Sequence, residues 1–217
     1  MKKFKLTSEF IVDISGVKLF RIKALIEFGN VKAGDLGGYI EKEENLSHMG
    51  NAWVSGNAQV SGDARVSGNA RVSGDARVSG NAWVSGDAQV FGNAQVSGDA
   101  RVFGNAWGFG DARVSGNARV SGDAQVFGDA RVSGNAQVFG DARVSGDKDY
   151  AYAHGFGSCN RTTTFFRLKD GDVGVRCGCF YGTLAQFRDN VCETHGETKK
   201  AQEYLMLADL MDFRFKN

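Results

Sequence analysis

NAWVSGNAQVSGDARVSGNARVSG, residues 51–74, is one six-residue phrase written four times, and the phrase continues without insertion to Gly146, sixteen units in all. Each unit runs Asn or Asp, Ala, a variable residue, Val, Ser or Phe, then Gly, with one exception, Gly108 in the valine slot. The valine stands between two outward-facing residues, the period-two pattern of a short strand with one buried face. Gly followed by Asn or Asp is corner chemistry, because these residues accept left-handed backbone angles that β-branched residues resist. Alanine, just past the corner, is small enough to point inward where the wall bends. Strand, corner, strand therefore predicts a parallel β-solenoid over residues 45–146. NLSHMG (45–50) serves as a degenerate first unit, with Leu46 in the alanine slot and His48 in the inward valine slot.

The spacing of an aliphatic residue and a small residue four positions on, as in Val54 and Ala58, resembles the hexapeptide-repeat left-handed β-helix superfamily. The resemblance implies three strands per coil and successive coils about 4.8 Å apart, as in any sheet. Left-handed crossovers depart from the usual right-handed rule and are tolerated where connections are tight corners. The resemblance also implies association of subunits, trimers being frequent in the superfamily.

Folding the repeat by threes gives three unequal outward faces. One carries Gln59, Arg77, Gln95, Arg113 and Arg131 beside a row of serines and is wholly polar. A second carries Trp53, Arg71, Gln89, Trp107, Gln125 and Arg143, and its other outward row holds Phe91, Phe109 and Phe127 on successive coils. Phe103 and Phe139 end the third face at the corner leading into the second. Seven large aromatic side chains on one side form a larger apolar patch than a soluble monomer normally leaves wet. A neighbouring chain, the C-terminal segment or a ligand is expected to cover them; the alternative is a half-exposed ladder that stiffens the coil. Gly108 marks a defect between Trp107 and Phe109 where a ring turns inward or another backbone approaches.

The chain has 26 Lys and Arg against 25 Asp and Glu, and the balance holds in the first fifty residues, in the repeats and in the remainder. No basic excess exists to neutralise a run of phosphates, so non-specific nucleic-acid binding is not expected. The start, MKKFKLTSEF, lacks the apolar run of a secretory signal, and no segment is apolar enough over the length of a membrane span. A cytoplasmic protein is expected. Thirty glycines without a proline are accounted for by the repeat. Cys159, Cys177, Cys179 and Cys192 are too few and too clustered for a disulfide scaffold.

Residues 1–44 read as an N-terminal cap: two strand-like runs around a turn at Ser15 and Gly16, then a short helix-like stretch and GDLGGYIEKEENLS leading into the coil. A solenoid end exposes unpaired strand edges, so a cap is expected there. RIKALIEFGNVKAGDLGGYIEKEENLS resembles the N-terminal segment of hexapeptide-repeat proteins carried by bacteriophages and prophages, commonly labelled transferases on the repeat alone. A linker is expected at 147–158 and an α+β module at 159–217, in which TTTFFRL and VGVRCGCF form a hairpin around KDGD. Two amphipathic helices follow. The second places Tyr204, Leu207 and Met211 on one face with Leu210 alongside.

Acyl transfer is the enzymatic alternative implied by the superfamily, whose transferases use a histidine base near a subunit boundary and often a loop extruded from the coil. Residues 51–146 contain neither histidine nor insertion, which subtracts the base and the usual pocket. Outside them, His48 reads as a packed or capping residue, and His154 or His195 would be the base. A metal reading groups Cys177 and Cys179, two apart on a strand, with Cys192 and His195, three apart on a helix; three cysteines and a histidine suit tetrahedral zinc. Against it, the spacing lacks a zinc knuckle, and reduced cysteines are ordinary core residues. The leading expectation is a non-enzymatic, cofactor-free binding or scaffold protein, homo-oligomeric through Trp53, Phe91, Phe103, Trp107, Phe109, Phe127 and Phe139. Arg71 and Arg143 would line a cleft for a small nucleotide-like ligand, or the surface would occlude a host protein.

Overall fold

The computed structural model describes residues 1–157 and 161–216, so Cys159 and the expected boundary at 158/159 lie outside the described residues. Three strands come first, β1 (Phe4–Val12), β2 (Lys18–Ala24) and β3 (Leu36–Ile40). Sixteen two-residue strands follow, β4 to β19, one per repeat from Trp53–Val54 to Arg143–Val144. They stack by threes into parallel sheets: β4, β7, β10, β13, β16 and β19 form one wall, β6, β9, β12, β15 and β18 a second, and β5, β8, β11, β14 and β17 a third. The chain is mainly β and its centre is a parallel β-solenoid of about six turns.

Register explains the strictness of the repeat. Gln89 lies opposite Arg71 on one side and Trp107 on the other, so like positions stack on like. Every inward alanine and valine from Ala52 to Val144 is at most 2% exposed, and the interior of a rod this narrow has room for little else. At the corners the glycines take positive φ. Gly86, at +68°, would carry a Cβ 2.9 Å from the backbone nitrogen of Gly104 on the next coil, so conformation and space both exclude a side chain. The next residue solves an electrostatic problem: aspartates stacked a coil apart, about 4.8 Å, would repel. Asparagine is interleaved along most of each corner column, the pairs Asp111–Asp129 and Asp123–Asp141 excepted, and Asn69, Asn81, Asn93 and Asn105 each donate through Nδ2 to Oδ1 of the aspartate one coil on, at 2.9 to 3.0 Å.

The two ends have opposite polarity and opposite caps. Each coil donates its N–H groups to the following coil, as in Trp53 N to Ala70 O and Ser55 N to Val72 O, which leaves the first coil with unused carbonyls. Tyr39 N, Glu41 N and Ser47 N donate to Ala58, Val60 and Val66. Lys3 Nζ donates to Ala52 O at 2.8 Å, and Asn45 Nδ2 to Ala64 O at 2.9 Å. The last coils present unused N–H groups, and acceptors meet them: Thr164 Oγ1 for Gln137 N, Asp147 for Arg131 N, Asp149 for Ser145 N. Donors close one end and acceptors the other, as the need to satisfy buried backbone groups dictates.

The first segment departs from expectation at one place. Residues after β2 form no helix; Phe28 and Val31 exchange backbone hydrogen bonds of 2.9 and 3.0 Å around Gly29 and Asn30. Gly29 at φ +52° makes the turn, and the Phe28 ring meets Trp53 edge-on at 5.4 Å, so packing overrides the helical pattern. Helical geometry is confined there to one 3-10 turn, Glu43–Asn45.

After the repeats come β20 (Tyr150–Phe156), β21 (Arg161–Arg167), β22 (Val173–Cys177) and β23 (Phe180–Thr183), an antiparallel sheet in that order, then α1 (Leu184–His195) and α2 (Lys199–Phe215). The segment expected as linker thus contains the edge strand β20. On β21 the period-two alternation divides two cores, Phe166 facing the solenoid interior and Phe165 the helices. Tyr204 and Met211 are buried as expected, but Leu210 is 56% exposed and the buried face is completed by Ala208 and Phe215. No helix among the described residues is long and apolar enough to cross a membrane.

Candidate functional site

The face carrying Trp53, Arg71, Gln89, Trp107, Gln125 and Arg143 is the six-stranded wall. On its second row Phe91, Phe109 and Phe127 form a continuous column: both steps are 5.1 Å between ring centroids, with planes within 3° and 6° of parallel. The spacing exceeds the rung separation only slightly, so the backbone register itself imposes the stack. Trp107 stands edge-on to Phe91 at 6.2 Å and is 38% exposed.

The other expected aromatic residues have different fates. Trp53 is buried beneath Phe28. Phe139 is met edge-on by Tyr181 at 5.0 Å, with the Arg176 guanidinium over its ring at 5.2 Å. The flanking segments therefore cover both ends of the aromatic side and leave the Phe91–Phe109–Phe127 column with Trp107 between them. Phe103, 38% exposed at the neighbouring corner, makes no ring contact with this column among the described residues. Gly108 is buried, yet a Cβ there would meet nothing within 4 Å. Among the described residues neither an inturned ring nor another backbone fills the defect, because the stack holds Phe109 outward.

Arg71 and Arg143 share this wall but stand four rungs apart, roughly 19 Å at the usual strand spacing, too far for one small ligand to bridge. Neither has a carboxylate partner among the described residues. Arg71 lines a cleft of about 470 Å³ between the Phe28–Val31 turn and the first coils, together with Ser55, Ser73, Gln89, Asn51 and Trp53. The wall supplied by Asn30, Val31, Asp35 and Leu36 was not readable from the repeat, since it depends on how the first segment folds back.

A larger cleft, about 630 Å³, opens on the five-stranded wall beside Trp83, Arg65, His48 and Glu43. Trp83 is 43% exposed and lies between the guanidinium groups of Arg65 and Arg101, at 5.8 and 5.3 Å. This contact was not singled out from the sequence, although stacking the ladder 65–83–101 would have found it.

The histidines fall into three settings. His48 has the carboxylate partner that a base would need, with Nε2 2.6 Å from Glu43 Oε1, but its Nδ1 accepts from Lys3 N at 3.1 Å and its ring stacks on Phe4. Both nitrogens are occupied, so it acts as a cap. Lys2 first and His48 second hold the Glu43 carboxyl below its ordinary range. His154 is exposed on β20 and bonds Thr162 Oγ1 through Nδ1 at 3.0 Å. His195 stacks on Tyr204 at 5.8 Å and borders a small cavity with Cys177 and Cys179.

The cysteines do not share the expected strand face: Cys177 ends β22 and Cys179 lies in the tight turn into β23, where Gly178 has φ +59°. Cys192 is exposed on α1 and is not part of the cavity wall. No group of three or more His, Cys, Asp or Glu that could hold a metal ion occurs among the described residues. Of the four residues considered for zinc, Cys177, Cys179 and His195 border one cavity and Cys192 lies outside it.

Comparison with known proteins bears on the solenoid alone. The family described as YdcK Beta solenoid repeat matches residues 58–74, 70–86, 94–107, 112–126 and 124–138. Windows starting at 58 and 70, and at 112 and 124, step by two six-residue units, so the family's repeat falls in the same frame. No curated protein matches the chain. The class of protein thus defined is a repeat β-solenoid closed at both ends by its own flanking segments.

Proposed function

We propose that the protein is a non-enzymatic binding or scaffold protein that assembles with copies of itself through the uncovered middle of its aromatic side. The observation carrying this reading is the Phe91–Phe109–Phe127 column with Trp107. Tyr181 covers Phe139 and Phe28 covers Trp53, whereas among the described residues the half-buried rings of the column between them make ring contacts only with one another and with Trp107. Stacked rings on a straight wall match a second straight wall, and burying them between chains contributes several times the ~0.5–1.5 kcal/mol of one aromatic pair. We assign the handedness as left, the assembly as a trimer and the wider kinship to the hexapeptide-repeat superfamily, on the Val54 to Ala58 spacing. We place the protein in the cytoplasm, encoded by a phage or prophage, on the wording of residues 21–47. There it would act by occluding a host protein or sequestering a small ligand.

Native mass spectrometry tests the assembly. A trimer that falls to monomer on Trp107→Ser or Phe109→Ser supports the reading. A monomeric wild-type protein, or an unchanged mass in both variants, sinks it.

A further inference from the structure

The phenylalanine column stops at Phe91, and a cleft opens on the rungs beyond its end. Reading outward positions rung by rung gives Arg71 and Ser73, then Gln89 and Phe91, then Trp107 and Phe109, then Gln125 and Phe127. Phe91 has a ring on one side, Phe109, while the ring face turned away from it carries no other ring among the described residues. The two rungs beneath put Ser73 and Ser55 in that row, and a serine leaves open the space that the next ring of the column would take. Ser55 and Ser73 of this row also line the 470 Å³ cleft walled by the cap turn, together with Arg71, Gln89 and the Asp35 carboxylate; Phe91 is not itself a lining residue, so a ring seated over Ser73 would reach the column from the edge of the cleft. Arg71 is exposed, has no carboxylate partner among the described residues, and sits on the same rung as Ser73.

We propose that this cleft binds a small planar aromatic molecule bearing one oxyanion, a carboxylate or a phosphate. Its ring continues the column beneath Phe91, at the centroid spacing of 5.1 Å that the column already uses, and its oxyanion takes the guanidinium of Arg71. A planar guanidinium presents paired N–H donors in the geometry of an oxyanion, and the serine hydroxyls and the Gln89 amide supply further donors. Trp53, Phe28 and the turn at Gly29 hold the cleft's walls in place, because the same contacts close the end of the solenoid. The inference rests on the binding reading of this face and is independent of self-association.

Adenosine monophosphate and benzoate are the probes, titrated by calorimetry into the 217-residue chain, with the native mass recorded in parallel. Arg71→Gln and Ser73→Phe use residues that the repeat itself places in those slots, as Gln89 and Phe91 do, so both variants keep the fold. Arg113→Gln on the polar wall is the control. We expect at least one probe to bind, Arg71→Gln to weaken it about tenfold or more, Ser73→Phe to abolish binding by filling the ring position, and Arg113→Gln to change nothing. Binding of adenosine monophosphate alone assigns the oxyanion as phosphate; binding of benzoate alone assigns it as carboxylate. Failure of both probes at millimolar concentration, or binding that survives Arg71→Gln and Ser73→Phe, overturns the proposal. A monomeric mass with Arg71-dependent binding would reject self-association while leaving the site standing.

Discussion

Replacing Gly108 with valine should stabilise the protein, an unusual expectation for a substitution into a closely packed core. Gly108 is buried on β13 in the slot that every other repeat fills with valine, and a Cβ there would meet nothing within 4 Å. Its neighbours in register are Val90 and Val126, so the missing side chain leaves a break in a row of stacked valines. Burial of a valine side chain contributes about 1.5–3 kcal/mol, and removing the flexibility of a glycine from the unfolded chain adds roughly 0.4–1 kcal/mol. A gain of about 2–4 kcal/mol is expected, a rise of roughly 4–16 °C in midpoint for a chain of this size. Thermal and urea unfolding followed by circular dichroism measure it, and hydrogen exchange at residues 90 and 126 localises it. Gly86→Ala is the contrasting variant: at φ +68°, with Gly104 N 2.9 Å from the added carbon, it should lose stability by at least ~1 kcal/mol. Destabilisation by Gly108→Val would refute the reasoning, showing that the defect is held open by something the packing argument omits.

Three other outcomes follow from the same geometry. Burial lowers the Lys3 ammonium from 10.5 to about 8. Between those values the unfolded chain holds the proton that the folded chain has released, so stability should rise with pH across that window, by no more than ~1.4 kcal/mol per pH unit. Lys3→Met should flatten this slope, and an identical slope in both proteins would remove Lys3 as its source. Asp111 and Asp129 are consecutive at one corner where Asn and Asp otherwise mix, so Asp111→Asn should raise the unfolding midpoint slightly in low salt and much less in high salt; a fall would show that no repulsion is relieved. Trp83→Ala should leave the native mass unchanged, because its indole lies on a different wall between Arg65 and Arg101; a loss of assembly would move the interface to that wall.

The solenoid was legible because a repeat multiplies a weak signal: a single NAQVSG says little, whereas sixteen in register leave each side chain one place to go. The stack of Phe91, Phe109 and Phe127 was legible for the same reason, since rungs three units apart must superpose. What the repeat could not announce is what the flanks do to it. Trp53 and Phe139 occupy the same kinds of slot as Trp107 and Phe109, and only the folding back of Phe28 and Tyr181 separates buried rings from open ones. The helix-like pattern after β2 misled because a turn at Gly29 and Asn30, anchored by Phe28 on Trp53, outweighs local propensity. Cys177 and Cys179 misled because a glycine between them turned a strand spacing into a hairpin turn.

Those separations locate the information in the molecule. A perfect repeat would give a rod whose three walls are the same at every rung, and such a rod could not tell one position along its length from another. Ser-to-Phe changes at 91, 109 and 127 interrupt a row that is otherwise serine, and they fall on three consecutive rungs bracketed by Arg71 with Ser73 and Arg143 with Ser145. The bracketing is not forced by the fold, since glutamine and tryptophan occupy the arginine slot elsewhere on the same wall. It leaves an arginine and a small hydroxyl at each end of an apolar column. At one end the cap turn encloses that pair in a cleft; at the other, Asp149 takes Ser145 through its backbone N–H and its hydroxyl. The two ends of one column are thus chemically alike in sequence and unlike in structure, and the enclosed end is where a ligand-sized space survives.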